Sequence, residues 1–551
     1  MSNITLRADQ SDQVLIDNLS CAIHPGQFVA IIGASGSGKS TLLKLIAGIH
    51  EQQEGSIHWN GRDLITDQDL HPSEVGYVPQ FSIAYEHLTV WENVDNALQL
   101  RVAGIPPDQQ RARVQQTISE VGLADKEDRL VRVLSGGEKR RLALAIELVG
   151  NPAILLSDEA TSGLDPVSEE EVMNLLRDLS RHENRIVASV THSMHHLHLY
   201  DLVIILDAGR LMYAGPPSEV TAYFGVARPE GLYHRTATLK PFPEALLNPM
   251  YFQGARHPHQ EEPPQTPGFI AQTMLLLKRR WHIFFRDRAQ CLLQLGLILG
   301  FPAVIVLFAL NGLPQIRNLT MAFDTSLLQQ LAEAIAFTRE STRAGALVSG
   351  LVMFQIVLMT IMAANNSARE ITEERLILEK EKLAGLLPGS YVASKCLFLA
   401  GLVLLQSLWM TIFVKLVCDL PGNFWTQLAL LASVNAAVTF LCLAISSLSR
   451  TSEQSSLTSI YLVGFQLPFS GAVLSLPDGL AAVTRPFIAS YWGWSGYVTT
   501  MKDTRLYDMV KMVSQTDISP IHLCLCVLWT HVVFSIIITY VGCRHSRWHT
   551  L

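Results

Sequence analysis

The stretch Gly33-Ala34-Ser35-Gly36-Ser37-Gly38-Lys39-Ser40-Thr41 ends a set of spaced glycines in a lysine and two hydroxyls. It fits G-x-x-x-x-G-K-[ST], a pattern suited to phosphate. The glycines let backbone N–H groups curl around phosphate oxygens, and a helix starting there adds its positive dipole end. Lys39 would reach the β and γ phosphates of a nucleotide, and Ser40 would ligate Mg2+. Phe28-Val29-Ala30-Ile31-Ile32 precedes the loop as a buried-strand run, and Leu42-Leu43-Lys44-Leu45-Ile46 follows as an apolar helical stretch. That context separates it from a merely glycine-rich turn. Downstream, Ile154-Leu155-Leu156-Ser157 leads into Asp158-Glu159. Asp158 at a strand end suits the Mg2+ shell, and Glu159 can orient or deprotonate a water. In isolation such a pair is more often a solvated edge; its place downstream of the phosphate loop changes that weighting.

These residues need a rigid scaffold. Residues 1–235 alternate short apolar strands with helical stretches, as an α/β domain does. Residues 236–267 are rich in proline and histidine and read as a linker. Residues 268–288 place Phe269, Met274, Leu277, Trp281 and Phe284 at helical spacing with basic residues between them. A basic amphipathic helix of this kind suits a membrane surface. From 289 to 551 the sequence predicts an all-α transmembrane domain with six spans, at about 289–310, 344–367, 396–414, 426–449, 454–476 and 521–542. Residues 486–500 are too short for a span and read as a re-entrant or interfacial segment.

Composition agrees with this split. Charged residues are 17% of the 551, against roughly 25% in an ordinary soluble protein, and mean hydropathy is +0.24. The net charge of −7 gives no reason to expect nucleic acid. The eight cysteines contain no CxxC, which argues against a zinc or redox site. The first 25 residues carry no apolar signal-peptide core, so the amino-terminal domain is expected in the cytosol. With that domain inside, thirteen Lys and Arg fall in inner segments against eight in outer ones. An even span count returns the carboxyl terminus to the cytosol of a multi-pass cell-membrane protein.

Leu134-Ser135-Gly136-Gly137-Glu138 is the most specific feature. It resembles the signature motif of the ATP-binding-cassette (ABC) ATPases, the family that the phosphate loop also matches. The resemblance implies an α/β P-loop NTPase cassette using ATP and Mg2+. It implies that Gln80, after Gly76-Tyr77-Val78-Pro79, joins Mg2+ and the attacking water. It implies that Asp165, in Ser162-Gly163-Leu164-Asp165, belongs to the D-loop, and that His192 contacts the γ-phosphate. In this family ATP lies between the loop of one cassette and the signature of another, so a second copy is the implied partner. Both half-sites look complete here: Lys39, Glu159 and His192 on one side, Ser135 and Gly137 on the other. Two positions depart from the usual pattern, Ser157 for an apolar residue and Ala160 for a proline, and neither removes a catalytic group. Residues 1–20 lack the aromatic expected to stack on adenine, which leaves aliphatic packing such as Val14.

The cassette precedes the membrane domain. That order, with one cassette and six spans, resembles the G subfamily of ABC transporters (White-type half-transporters). The basic run after the signature, Lys139-Arg140-Arg141, and the charged segment Glu373-Glu374-Arg375 through Glu381 carry the same likeness. Thr191-His192 and Asp165-Pro166 look bacterial. By resemblance, spans two and five line a substrate cavity through Phe354, Gln355, Met359, Met362, Phe465, Gln466 and Leu467; ordinary helix packing accounts for the same residues equally simply. The reading expected is ATP-driven export or flipping of an amphipathic lipid, drug or metabolite by a homodimer. An ATP-driven regulatory or mechanotransmitting module and an importer are the alternatives.

Overall fold

The computed structural model describes residues 1–8, 13–50, 52–59, 62–63, 71–81, 83–159, 161–181, 184–227, 265–309, 327–472 and 476–546. Ala160 and nearly all of the expected 236–267 linker lie outside them. The chain divides into two compact units, Met1–Leu275 with Ile377–Leu387, and Leu276–Leu376 with Pro388–Leu551.

The first unit is built on eleven strands among the described residues: β1 Ser2–Arg7, β2 Val14–Leu19, β3 Phe28–Gly33, β4 Glu54–Ser56, β5 His58–Trp59, β6 Arg62–Asp63, β7 Val75–Val78, β8 Ile154–Asp158, β9 Ile186–Val190, β10 Leu202–Asp207 and β11 Arg210–Gly215. Six form a sheet in the order β11-β10-β3-β9-β8-β7, parallel except for the β10–β11 hairpin. A smaller antiparallel sheet runs β2-β1-β4. Every residue of β3, β8 and β9 is buried. Continuous apolar strands are what a parallel sheet covered on both faces demands.

Alternation divides the core in two. Phe28, Ala30 and Ile32 face one side, with Leu142, Leu144 and Leu148 of the helix Gly136–Leu148. Val29 and Ile31 face the other, with Leu42, Leu43 and Leu45 of the helix Lys39–Ile46. The helix after the phosphate loop and the helix of Ser135–Glu138 therefore lie on opposite faces of one sheet. The register pairs Val78 with Ser157, Asp158 with Val190, and Ile31 with Val190. The carboxyl ends of β3, β7, β8 and β9 thus share one edge, the place where α/β sheets bind ligands.

The second unit is helical. Among the described residues, five helical segments are long and apolar enough to cross a membrane: Arg288–Leu307, Gln330–Ser367, Pro388–Cys418, Phe424–Leu448 and Ile521–His545. The span expected over 454–476 differs. Its helix, Ser452–Gln466, has 15 residues and gives way to a 3-10 turn, Pro468–Ser470. Pro468 has no N–H to continue the helical ladder, so the apolar run outlasts the helix. The 486–500 segment contains the helix Ala489–Thr499, buried from Ala489 to Val498. Gly493 permits that burial, since a Cβ there would sit 2.4 Å from Val434 Cγ2.

Two polar clusters join the helices of this unit. Gln294, Asn366, Gln406 and Asn435, from four different helices, form a buried amide network. Gln294 Nε2 donates to Asn366 Oδ1 at 3.0 Å, Asn366 Nδ2 to Gln406 Oε1 at 2.9 Å, and Asn435 Nδ2 to Gln406 Oε1 at 3.1 Å. Amides away from water must find one another, so the network fixes helix register. The second cluster is ionic. Arg280 grips Glu370 with two bonds of 2.5 and 2.7 Å, and Lys395 Nζ lies 2.9 Å from Glu370 and 2.6 Å from Glu374. Burial opposes ionisation of Glu370, but Arg280 and Lys395 outweigh it and hold the carboxyl below the usual range.

Glu370→Ala would leave two buried cations sharing Glu374. Breaking such a pair costs about 3–5 kcal/mol, so the melting temperature of the detergent-solubilised protein should fall, and less so for Glu370→Gln. The depressed carboxyl contributes stability above its ordinary pKa of about 4.3 and loses it as pH drops through the folded value. The gap in melting temperature between wild type and Glu370→Gln should therefore narrow on acidification; a constant gap would contradict the ionic account.

Candidate nucleotide site

The loop 33–41 takes the shape that its glycines allow. Gly36 and Gly38 have φ of 79° and 98°, and Gly38 caps the helix Lys39–Ile46. A Cβ on Gly33 would sit 2.3 Å from Leu206 O and 2.4 Å from Ser37 Oγ, so only glycine fits at the end of β3. Ala34, Ser35 and Gly36 form an exposed tip, while Ser37 is buried beneath it. Lys39 Nζ donates to Gly33 O at 3.0 Å and to Ala34 O at 2.8 Å. Burial pulls its pKa down, and Glu159 and Asp158 oppose that pull.

Ser40 Oγ donates to Asp158 Oδ1 at 3.0 Å, tying the loop to the end of β8. Tyr77 OH donates to the other oxygen, Oδ2, at 3.4 Å. Burial pushes the Asp158 carboxyl up, against the bond from Ser40. Next along the chain, Glu159 adopts φ 50°, a left-handed conformation, and its N–H bonds Val190 O at 3.2 Å. Its side chain is held at both oxygens: Gln80 Nε2 donates to Oε2 at 2.8 Å, and His192 Nε2 lies 2.9 Å from Oε1. Lys39, Ser40, Gln80, Asp158, Glu159 and His192 thus gather at one sheet edge. A hydroxyl and a carboxylate side by side suit an octahedral Mg2+ that keeps several waters. The exposed loop N–H groups and Lys39 suit a polyphosphate. An acid oriented at both oxygens suits work on a water molecule.

The signature residues do not join this group within one chain. Ser135 caps the helix Gly136–Leu148 in a capping box with Glu138: Ser135 N–H donates to Glu138 Oε2 at 2.8 Å, and Glu138 N–H donates to Ser135 Oγ at 3.3 Å. Lys126 Nζ reaches Glu138 Oε1 at 2.6 Å. Asp165 Oδ1 accepts the N–H groups of Val167 and Ser168, and Ser168 Oγ donates to Asp165 Oδ2 at 2.7 Å. Glu138 and Asp165, expected against nucleotide, have these local structural duties. Gly136 and Gly137 face Leu164 and Ser168.

The residues expected around a substrate cavity differ in exposure. Gln355, Met359 and Met362 are fully buried in the second unit, and Phe354 is half-buried. Gln466 accepts from Ser490 N–H and Oγ at 3.0 and 3.1 Å. Phe465 and Leu467 on either side of it are exposed. Arg140, read from sequence only as part of a basic run, donates from Nη1 to Pro79 O at 3.3 Å and so steadies the strand exit that carries Gln80.

Residues 16–162 match the ABC transporter family, and residues 271–491 match the ABC-2 type transporter family. An ABC transporter cassette is thus followed by an ABC-2 type transporter domain in one chain. It is 28% identical over 518 residues to the ABC transporter ATP-binding/permease protein Rv1747 of Mycobacterium tuberculosis, across 91% of this chain and 57% of that protein. Over 206 residues it is 36% identical to the methionine import ATP-binding protein MetN of Geobacillus kaustophilus, covering 36% of this chain and 59% of that one. The MetN protein of Brucella abortus is 37% identical over 212 residues, 38% of this chain and 57% of its own length. The chain thus spans little more than half the length of these relatives.

Gly33→Ala should displace the phosphate loop. Titration with a fluorescent ATP analogue should show affinity lower by about tenfold or more, the equivalent of 1.4 kcal/mol. Unchanged affinity would contradict the fit described at Gly33.

Proposed function

We propose that the chain is an ATP-driven half-transporter that works as a pair of copies and exports or flips an amphipathic molecule across the membrane. The observation carrying this reading is the placement of the two motif helices on opposite faces of one sheet. A single chain then offers its phosphate loop and its signature to different nucleotides. Both half-sites keep their functional residues, so a second identical copy suffices as partner. In that arrangement Ser135 and Gly137 of one copy close over ATP held by Gly33–Thr41 of the other.

Within the site, Ser40, Asp158 and Gln80 would hold Mg2+, which when bound neutralises charge on the β and γ phosphates. Lys39 would bind the same oxygens. Glu159 would orient the attacking water and take its proton, with Gln80 and His192 fixing the carboxylate. The two termini would lie in the cytosol, and an apolar cavity between copies, near the half-buried Phe354 and the exposed Phe465 and Leu467, would take the substrate. Cassette-first order supports a G-type half-transporter. The likeness to methionine-import ATPases is confined to the cassette and carries no direction of transport.

Glu159→Gln should still bind ATP, while steady-state hydrolysis falls by about 10²–10⁴-fold, the range of a general base. Phosphate release in proteoliposomes measures this, and turnover close to wild type would refute the assignment.

A further inference from the structure

Ser40 takes one oxygen of Asp158, and a second donor takes the other. Tyr77, which the sequence presents only as a lead-in to Gln80, lies in β7 opposite Leu156 of β8. Side chains alternate along a strand, so Asp158 shares a sheet face with Leu156. Tyr77 and Leu156 belong to one core cluster on that face. Two residues along a parallel strand cover about 6.6 Å, a distance that a phenol ring spans. The Tyr77 hydroxyl therefore arrives at Asp158 Oδ2, 3.4 Å away. The ring packs in the cluster that holds Leu42, Leu43 and Leu156, and only 4% of the residue is exposed. Packing fixes the ring, and the ring's length fixes where its hydroxyl ends.

Space alone does not call for tyrosine here. Phenylalanine would fill the same volume and leave no buried hydroxyl to satisfy. Asp158 is 7% exposed, so water is a poor replacement for the phenol at Oδ2. A buried carboxylate oxygen left without a donor is costly, and hydrogen bonds to charged acceptors are the stronger kind. The two donors also differ in duty. Ser40 belongs to the first turn of the phosphate-loop helix and is itself an expected cation ligand. Tyr77 belongs to the sheet, where the β7–β8 ladder sets its position. Its bond can hold the carboxylate while Ser40 serves a cation.

Mg2+ demands near-ideal octahedral geometry, whereas Ca2+ accepts variable, flexible coordination. A carboxylate free to swing is thus a worse partner for Mg2+ than for Ca2+. We propose that Tyr77 is a positioning residue for the divalent cation of the nucleotide site. Its hydroxyl holds Asp158 by Oδ2 so that Oδ1 stays beside Ser40, and this hold favours Mg2+ over cations of looser coordination. Tyr77 acts through Asp158 and is not itself a cation ligand. The proposal rests on the placing of Mg2+ at Ser40 and Asp158 in the ATP-driven reading given above.

Tyr77→Phe removes the hydroxyl and keeps the ring. Binding of a non-hydrolysable fluorescent ATP analogue to the full chain in lipid nanodiscs tests the proposal in three conditions: EDTA, Mg2+ and Ca2+. With EDTA the variant should bind as wild type does, because the loop and Lys39 are untouched. With Mg2+ its affinity should be about tenfold lower, the scale of one hydrogen bond to a charged group. With Ca2+ the loss should be clearly smaller, because a flexible coordination shell tolerates a looser carboxylate. Unchanged affinity with Mg2+ would overturn the proposal. So would equal losses with Mg2+ and Ca2+, which would mean that the hydroxyl does not set geometry. A loss already present with EDTA and no greater with Mg2+ would overturn it too, because the hydroxyl would then serve only the packing of the loop. A wild type whose affinity is the same with EDTA as with either cation would overturn the placing of the metal at Ser40 and Asp158, and the proposal with it.

Discussion

The hydrogen bond from Ser40 to Asp158 ties together everything at the nucleotide site. It links the first turn of the helix after the phosphate loop to the end of a strand two places away in the sheet. It exists because parallel strands in register bring Gly33, Asp158 and Val190 to one edge. From that edge the chain hands Glu159 to Gln80 and His192, one carboxylate oxygen each. The left-handed backbone at Glu159 costs of order 1 kcal/mol or more, and the surrounding strands hold it there. A sheet slipped by one residue would scatter these groups.

The same sheet that gathers one half-site excludes the other. Its two faces carry the phosphate-loop helix and the signature helix, and no side chain spans both. Ser135 and Glu138 spend their local hydrogen bonds on capping, which keeps the helix start well formed. Ser135 is then presented at a helix amino terminus, the end of a helix that favours phosphate. In the second unit, where water cannot satisfy polar groups, amides and ion pairs take the positioning role that the sheet plays in the first.

The cassette was legible because its chemistry is local. The loop 33–41 must be a strand–turn–helix to function, and its glycines and flanking apolar runs declare that directly. Asp158 and Glu159 follow from the same logic. Less legible were contacts made by residues distant in sequence: Glu147 with Arg101 and Lys380, or Gln272 with Gly385. A lone glutamate in an apolar helix carries no sign of its partners. Hydropathy also misled around Pro468, since apolarity continues through 476 while the helix stops at Gln466. Gln466 itself looked like a cavity residue by position, yet it is committed to Ser490.

In the proposed pair, one nucleotide is shared by two copies. Complementation tests it most directly. Lys39→Ala removes the loop's cation, and Gly137→Asp places a carboxylate where the signature would meet phosphate. Each variant alone should lack ATP turnover. Co-reconstituted, they form mixed pairs with one intact loop facing one intact signature, so hydrolysis should reappear. If mixing restores nothing while wild type is active, each chain works on its own nucleotide, and the shared site is contradicted.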